Sequence, residues 1–215
     1  MTASAPARLT SRAERTRTAI LETAESLFAE RGFDATRLED VAERVGIRRA
    51  SIVYYFKDKR ELYEAVLHDL FSELLAGVEA ALDKPGPLLA RVDEAVAAWV
   101  ETIGRRPSLP RLLLREVLDA GGETPVLRAH TEPFFALVRR ALARSTDAEL
   151  VSEIDQSHVT SAMAGASLFQ LVALPALVPE LGGDPLSPER LAHHREQLVR
   201  LAHRLLRAPR RAERK

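Results

Sequence analysis

An apolar side chain recurs at every fourth position between residues 62 and 82, and this spacing constrains the fold more than any other feature of the chain. The positions are Leu62, Val66, Leu70, Leu74, Val78 and Leu82. Residues four apart share one face of an α-helix. No segment of strand length alternates apolar and polar residues with a period of two. Because aromatic residues make up only 5% of the 215 residues, packing between helices is favoured over a β-sandwich. We therefore predict an all-α fold of about nine helices.

Glycine, proline and capping residues divide the chain into these helices. The predicted spans are 11–31, 36–45, 48–55, 59–82, 88–103, 109–119, 124–144, 148–178 and 188–206. Residues 1–10 are small and polar and are expected to be unstructured. Gly32 supplies the first stop, and Thr36 with Glu39 three positions later predicts a capping box. Gly46 fits a tight turn between the second and third helices.

The composition argues against several classes of function. The chain has no cysteine, which excludes disulfides, thiolate chemistry and cysteine zinc sites. His193, His194 and His203 lack the i, i+4 placement of a helical zinc site, so no metal and no cofactor are expected. No nucleophile elbow or phosphate-binding loop occurs, and we expect no enzyme. The longest uncharged apolar stretch, 168–178, is too short to span a bilayer, and no signal peptide is visible. We expect a cytoplasmic protein that does not enter a membrane.

A basic cluster coincides with the second and third helices. Between residues 44 and 60, six basic residues stand against Asp58 alone, a net charge of +5 in a chain whose overall net charge is zero. Two short helices around Gly46, preceded by a longer one, describe a helix-turn-helix. A basic patch on such a unit favours binding to the phosphates of duplex DNA. We predict a DNA-binding domain over 12–60, with its motif at about 37–56, followed by a larger helical domain over 61–208.

Residues 32–62, GFDATRLEDVAERVGIRRASIVYYFKDKREL, resemble the DNA-binding unit of the TetR/AcrR family of bacterial transcriptional regulators. The features that carry the resemblance are Thr36, Val41-Ala42, Gly46, Tyr54-Tyr55-Phe56 and Lys59. It implies a regulator, most commonly a repressor, that binds a palindromic operator as a homodimer and is released by a ligand. The chain departs from the family pattern where Arg48 replaces the usual Ser, Ala50 the usual Gly, and Ile52-Val53 the usual Leu-Tyr. These departures bear on the operator sequence.

The expected DNA contacts lie on and around the third helix. Arg48 and Arg49 open this helix, where a guanidinium reaches O6 and N7 of guanine. Hydroxyl groups and further cations around it would fix the register on phosphates. The expected DNA-binding residues are Arg37, Arg48, Arg49, Ser51, Tyr54, Tyr55 and Lys59. The alternative for each is a solvated charge or, for one of the tyrosines, a partly buried core residue.

The last two helices carry a predicted dimer surface. Leucines recur every seven residues on the final helix, and small residues on the preceding helix permit close helix approach. The expected interface residues are Ser161, Ala162, Gly165, Leu191, Leu198, Leu201 and Leu205. The alternative is that these stripes face only the chain's own core.

Helices five to eight are expected to enclose a cavity for a small hydrophobic or amphipathic effector. The expected lining residues are Trp99, Ile103, Leu113, Glu116, Phe134, Phe135, Val138, Met163, Phe169 and Gln170. Glu116 is the candidate polar anchor, and ordinary core packing is the alternative for each apolar member. Two other functions stay open: a helical module that binds an acidic protein, and a transcriptional activator of the same fold.

Overall fold

Helices form almost all of the chain in a computed structural model that describes residues 5–119, 125–144 and 155–207. The α-helices are α1 (Ala5–Ala35), α2 (Leu38–Val45), α3 (Arg49–Tyr55), α4 (Lys59–Leu82), α5 (Leu88–Arg105), α6 (Leu109–Asp119), α7 (Pro125–Ala143), α8 (Gln156–Leu168), α9 (Leu174–Leu177) and α10 (Pro188–Leu206). A π-helical turn, Phe169–Ala173, joins α8 to α9 without a break. If α8, this turn and α9 are counted as one continuous rod, the described ranges contain nine helices and no β-strand. The predicted all-α fold is confirmed.

The N-terminal boundaries differ from prediction in two places. Helix α1 begins at Ala5, six residues earlier than expected, so the unstructured start predicted through residue 10 is wrong from Ala5 onward. Gly32 does end its regular part, with φ 84° and ψ 172°. The capping box predicted from Thr36 is also wrong, because its buried hydroxyl donates to the Gly32 carbonyl at 2.8 Å. Helix α2 is capped one residue later, where the Arg37 N–H donates to the Asp40 carboxylate at 3.3 Å.

The turn between α2 and α3 is formed by Gly46. This residue has φ 76°, in the left-handed region that favours glycine. Arg48 then occupies the N-cap position of α3 in an extended conformation, without a side-chain cap hydrogen bond. The predicted helix-turn-helix therefore has the expected order and turn, and α3 starts at Arg49.

Helix α4 completes the core of the first three helices. Ile20 and Phe28 of α1, Val41 of α2 and Ile52 of α3 are fully buried, and they belong to the same apolar cluster as Leu62. That cluster continues along α4 through the four-spaced residues to Leu82. The unit of α1, α2 and α3 is too small to bury enough surface to be stable alone. The N-terminal unit is therefore stabilised by packing on α4.

The rod from α8 to α9 is unusually apolar for a surface helix. The stretch Ser157–Leu177 is long and apolar enough to cross a membrane. Its most apolar window has a mean hydropathy of 1.4, and 22% of that window is buried. Length and composition alone do not separate a membrane span from a helix that a partner covers. The predicted starts of this helix at Ala148 and of α7 at Thr124 lie outside the described residues. Asp155 caps the observed α8 through a bond from the Ser157 N–H.

Candidate nucleic-acid interface and effector cavity

Helix α3 is fixed by one side and open on the other. Ile52 is 0% exposed and packs into the core shared with α1 and α4. On the open side Val53 is 44% exposed and Tyr54 is 83% exposed, and Arg48 and Arg49 are exposed as well. A short helix that buries one anchor residue and presents the rest to solvent has the form of a recognition helix.

The two tyrosines at the end of α3 have different environments. Tyr54 projects into solvent, whereas Tyr55 is half-buried and packs against the core cluster. Their rings meet edge to face at 5.2 Å between centroids. Ser51 is half-buried. Tyr54 is consequently the tyrosine whose hydroxyl is accessible to a ligand.

Acidic neighbours engage half of the basic cluster. Arg49 pairs with Glu39 of α2 at 2.7 Å, and weaker pairs join Arg44 to Glu30 at 3.7 Å and Arg60 to Glu64 at 4.0 Å. No ion pair is found for Arg37, Arg48 or Lys57 within the described ranges. The +5 cluster is thus reduced by acids that lie outside its own stretch of sequence, and exposed pairs of this kind contribute little stability.

Lys59 lies inside the domain. Its ammonium donates to the backbone carbonyls of Phe33 at 2.7 Å and Asp34 at 3.2 Å, and it sits 4.3 Å from the centre of the Phe33 ring. At the start of α4 the Asp58 carboxylate accepts from the Glu61 N–H at 2.9 Å. Lys59 therefore fastens the end of α1 to the start of α4.

An arginine at the end of α5 joins the two halves of the chain. The Arg106 guanidinium donates to Glu25 of α1 at 2.6 Å, and to Asp69 at 2.9 Å and Glu73 at 3.1 Å, both on α4. The Glu25 side chain is only 7% exposed. Burial disfavours the charged form of the Arg106 guanidinium and acts to lower its pKa. The hydrogen bonds that Arg106 donates to the Glu25 and Asp69 carboxylates outweigh the burial, so the pKa of Arg106 is raised. The sequence patterns gave no indication of this network, because its members lie up to 81 residues apart.

Helix α6 provides a second link between the halves. Arg115 donates to the backbone carbonyls of Ala29 at 3.1 Å and Glu30 at 3.0 Å in α1. Glu116, expected to anchor an effector, instead accepts from the Tyr63 hydroxyl of α4 at 2.5 Å. Its carboxylate lines none of the described cavities. The expectation that Glu116 anchors an effector is therefore wrong, because its carboxylate accepts a hydrogen bond from Tyr63 and faces no described cavity.

An apolar cavity of about 110 Å³ lies between α4, α5, α7, α8 and α10. Four of the ten expected residues line it: Trp99, Phe134, Val138 and Met163. The remaining lining is aliphatic apart from Thr160. No charged side chain of the described residues reaches this cavity, so its walls suit an uncharged, apolar group.

The other expected lining residues lie elsewhere. Ile103 is 0% exposed in the core and Leu113 packs against the same core. Phe135 and Phe169 are 37% and 53% exposed on the surface. Gln170 lines a separate cavity of about 480 Å³ beside α10. The pattern of apolar residues therefore predicted burial correctly for Ile103 and Leu113 and wrongly for Phe135 and Phe169.

A buried polar chain runs beside the apolar cavity. The Trp99 Nε1–H donates to the Ser167 hydroxyl at 2.9 Å, and His194 Nε2 lies 3.0 Å from the same oxygen. Burial, reinforced by the positive charge of His193, lowers the pKa of His194. His203 lies instead against Asp93 at 2.6 Å. Among the described residues no group of three metal-ligating side chains lies together.

The expected dimer residues fall into two groups. Leu198 is 2% exposed within its own subunit, where Val96 and Val100 surround it, and Leu191 packs against the same cluster. The expectation that Leu198 faces a partner is wrong, because the subunit's own α5 covers it, whereas half-buried Leu191 stays a predicted interface residue. Ser161 and Gly165 are exposed, and Ala162, Leu201 and Leu205 are half-buried. Two further apolar residues, Phe169 and Leu177, are 53% and 66% exposed on the α8–α9 rod. Neither is among the interface residues expected from the sequence.

Three N-terminal helices form a helix-turn-helix that packs on a long fourth helix. A larger all-helical domain with an apolar cavity follows, and this combination defines the class of the fold. Residues 20–66 match the family model of bacterial regulatory proteins, tetR family. Over this N-terminal unit the chain is similar to regulators of the TetR family. The predicted resemblance is thereby confirmed.

Named relatives of the chain are transcriptional regulators. It is 36% identical over 100 residues to the HTH-type transcriptional regulator RutR of Escherichia coli, a match that covers 46% of this chain and 47% of RutR. It is 32% identical over 87 residues to the HTH-type transcriptional repressor KstR2 of Mycolicibacterium smegmatis, covering 40% of this chain and 42% of that protein. Less than half of each relative's length is matched.

Solved structures share the fold over most of the chain. A TetR family regulator from Marinobacter aquaeolei VT8 superposes with a TM-score of 0.71 at 17% identity, covering 93% of this chain and all of that one. A TetR-like regulator from Rhodococcus sp. RHA1 gives 0.66 at 18% identity, covering 88% and 94% of the two chains. At these identities the likeness concerns the fold alone.

Proposed function

We propose that this protein is a cytoplasmic, sequence-specific DNA-binding regulator of transcription, which acts as a homodimer on a palindromic operator and is released by a small apolar effector. The observation that carries the proposal is the exposed side of α3, where Arg48, Arg49 and Tyr54 are accessible to solvent around the buried anchor Ile52. The family match over residues 20–66 supports the same function.

The proposed DNA contacts divide between base reading and register. Arg48 has no ion pair in the described ranges and is free to take guanine O6 and N7. Glu39 holds Arg49 at 2.7 Å, which orients its guanidinium before DNA binds. Arg37 and Tyr54 are exposed for phosphate contacts, and half-buried Ser51 and Tyr55 support the same surface.

The proposed dimer uses the apolar rod from α8 to α9. Gly165 is exposed, and a Cβ placed on it meets nothing within 4 Å of its own subunit. Its lack of a side chain therefore has no explanation inside the subunit, whereas close approach of a second helix accounts for it. Exposed Phe169 and Leu177 supply apolar area on the same rod.

The proposed effector occupies the apolar cavity between α4 and α10. Because its described walls carry no charge, the effector buries an uncharged, apolar part there. Trp99 lines the cavity and is the chain's only tryptophan, so quenching of its fluorescence reports occupation. Release would follow if the effector shifts α4, since Val78 and Leu82 of α4 also line the cavity.

A binding experiment on the DNA surface tests this proposal. An operator is first selected from random duplexes with the full-length protein. Fluorescence anisotropy then compares this operator with a scrambled duplex at several salt concentrations. We expect the double substitution Arg48→Ala, Arg49→Ala to abolish the preference, at about 1–3 kcal/mol for each lost base contact. The control Arg44→Ala, Arg60→Ala removes two exposed arginines outside α3 and is expected to keep the preference.

Two outcomes separate the candidate functions. If the α3 double variant retains operator preference, α3 does not read the sequence and the proposal fails. A helical module for an acidic protein partner predicts neither a selected operator nor a steep dependence on salt. Whether the regulator represses or activates is decided by transcription from a promoter that contains the selected site.

A further inference from the structure

An apolar strip interrupts the polar surface of α3. Val53 is a β-branched apolar residue that is 44% exposed, although neighbouring Ile52 already fills the core at 0% exposure. Ala50, three residues earlier, is also exposed and shares its helix face with Val53. Packing within the subunit therefore explains neither side chain, and both lie between the arginines that open α3 and exposed Tyr54.

The major groove offers one apolar feature to such a strip. Each base pair presents hydrogen-bond donors and acceptors there, and only thymine adds a methyl group, at C5. A valine placed against any other base edge would remove water from a polar group without replacing its hydrogen bond, which is unfavourable. Burying two methyl groups against each other is favourable instead.

We propose that Val53 is a specificity-determining residue, which packs with Ala50 on the C5 methyl group of one thymine in each half-site of the operator. This inference rests on the proposed function, because it requires that α3 enters the major groove. It also assigns a consequence to a departure from the family pattern, since valine has no hydroxyl with which to read a base or a phosphate.

The experiment removes the methyl group from the DNA and its partner from the protein. Each thymine of the selected operator is replaced in turn by deoxyuridine, which pairs identically and lacks only the C5 methyl. At one thymine position we expect a replacement in a single half-site to weaken binding about fourfold. Replacement of the equivalent thymine in both half-sites is expected to weaken binding about fifteenfold. The variant Val53→Ala is expected to bind the thymine and uracil operators within a factor of two of each other.

Controls keep a folding defect apart from a recognition defect. Alanine has a higher helix propensity than valine and Val53 is not a core residue, so Val53→Ala is expected to unfold at the wild-type temperature. The variant Tyr54→Phe changes the adjacent exposed residue and is expected to keep the sensitivity to uracil at the same position.

The outcomes distinguish this inference from the proposed function. If the wild type binds a selected operator equally well with uracil at every position, or if Val53→Ala keeps the same position-specific sensitivity, the thymine contact is wrong and DNA regulation stands. If random duplexes yield no enriched sequence at all, the proposed function fails and the thymine contact fails with it.

Discussion

At the scale of single residues, the same charge has different uses in neighbouring positions. Lys57 is exposed and has no ion pair in the described ranges, whereas Lys59, two residues on, donates to the Phe33 and Asp34 carbonyls. Lysines near the start of α4 are thus not equivalent, and a count of positive charges treats them alike. We infer that Lys57 contributes to phosphate binding and Lys59 to stability.

Matched substitutions test that division. Lys59→Met is expected to lower the free energy of unfolding by about 1.5–3 kcal/mol, because it removes hydrogen bonds from a charged donor, and to leave the salt dependence of DNA binding unchanged. Lys57→Met is expected to change stability by less than about 0.5 kcal/mol and to reduce the slope of log K against log salt by about one per half-site. Urea unfolding and anisotropy titrations measure the two quantities. The reverse assignment of effects would make Lys59 the phosphate ligand.

The sequence predicted which residues lie on α3 and where the turn before it falls better than it predicted which partners the side chains bind. Exposure of Arg48 and the turn at Gly46 follow from local pattern, because a glycine after a short amphipathic helix fixes where the chain reverses. The cap at Thr36 was misplaced by one residue because a hydroxyl bonds equally well to the carbonyls of the preceding helix. Likewise, the role of Glu116 depends on Tyr63, 53 residues away, and no local pattern contains that information.

At the scale of helices, the end of α5 is tied to α1 and α4 by one guanidinium. Arg106 contacts Glu25, whose side chain is 7% exposed, together with exposed Asp69 and half-buried Glu73. Arg105 also contacts Glu73, at 3.0 Å, but its own side chain is 58% exposed. The helices themselves were predictable from apolar spacing, whereas the polar contact that sets their relative position was not.

Substitution at the two arginines is expected to give unequal effects. Arg106→Gln leaves the buried Glu25 charge without a cation, and we expect a loss of about 3–5 kcal/mol in the free energy of unfolding. Arg105→Gln removes an exposed pair and is expected to cost at most about 1 kcal/mol. Denaturant unfolding measures both.

A third variant identifies the cause of that loss. Adding Glu25→Gln to Arg106→Gln removes the uncompensated charge and should recover part of the stability. If Arg106→Gln proved as mild as Arg105→Gln, the network would not hold the helices together.

At the scale of the whole molecule, the rod from α8 to α9 exposes an apolar surface that we expect a second subunit to bury. Phe169 and Leu177 are more than half exposed, and Gly165 is open to solvent with free space above it. The heptad leucines of α10 predicted an interface on that helix, but Leu198 faces its own α5 instead. A period of seven describes an apolar stripe equally well whether the neighbouring helix belongs to the same subunit or to another.

Dimerisation is therefore expected to depend on Gly165. Gly165→Lys places a charge in the proposed interface, and we expect the dimer dissociation constant to rise at least about a hundredfold, the equivalent of about 3 kcal/mol. Sedimentation velocity measures the change. Gly165→Ala should fold normally because one methyl group meets nothing in its own subunit, and should weaken the dimer less than lysine does. Ala76→Lys provides an exposed control on α4. A Gly165→Lys protein that sediments as a dimer would place the interface elsewhere.

The apolar cluster that runs unbroken from Ile20 to Leu82 bears on how regulators of this type can be recombined. A chimera joined at residue 60 would sever α1, α2 and α3 from the helix that completes their interior, and would expose Leu62 and Val66 to a foreign surface. Exchange of operator specificity between proteins is better made at Lys84–Pro87, so that α4 travels with the helices it supports. The contacts to be matched at that junction are then the apolar packing of α4 on α5 and α7, together with Arg106 and Arg115, which both reach back into α1 from the recipient half.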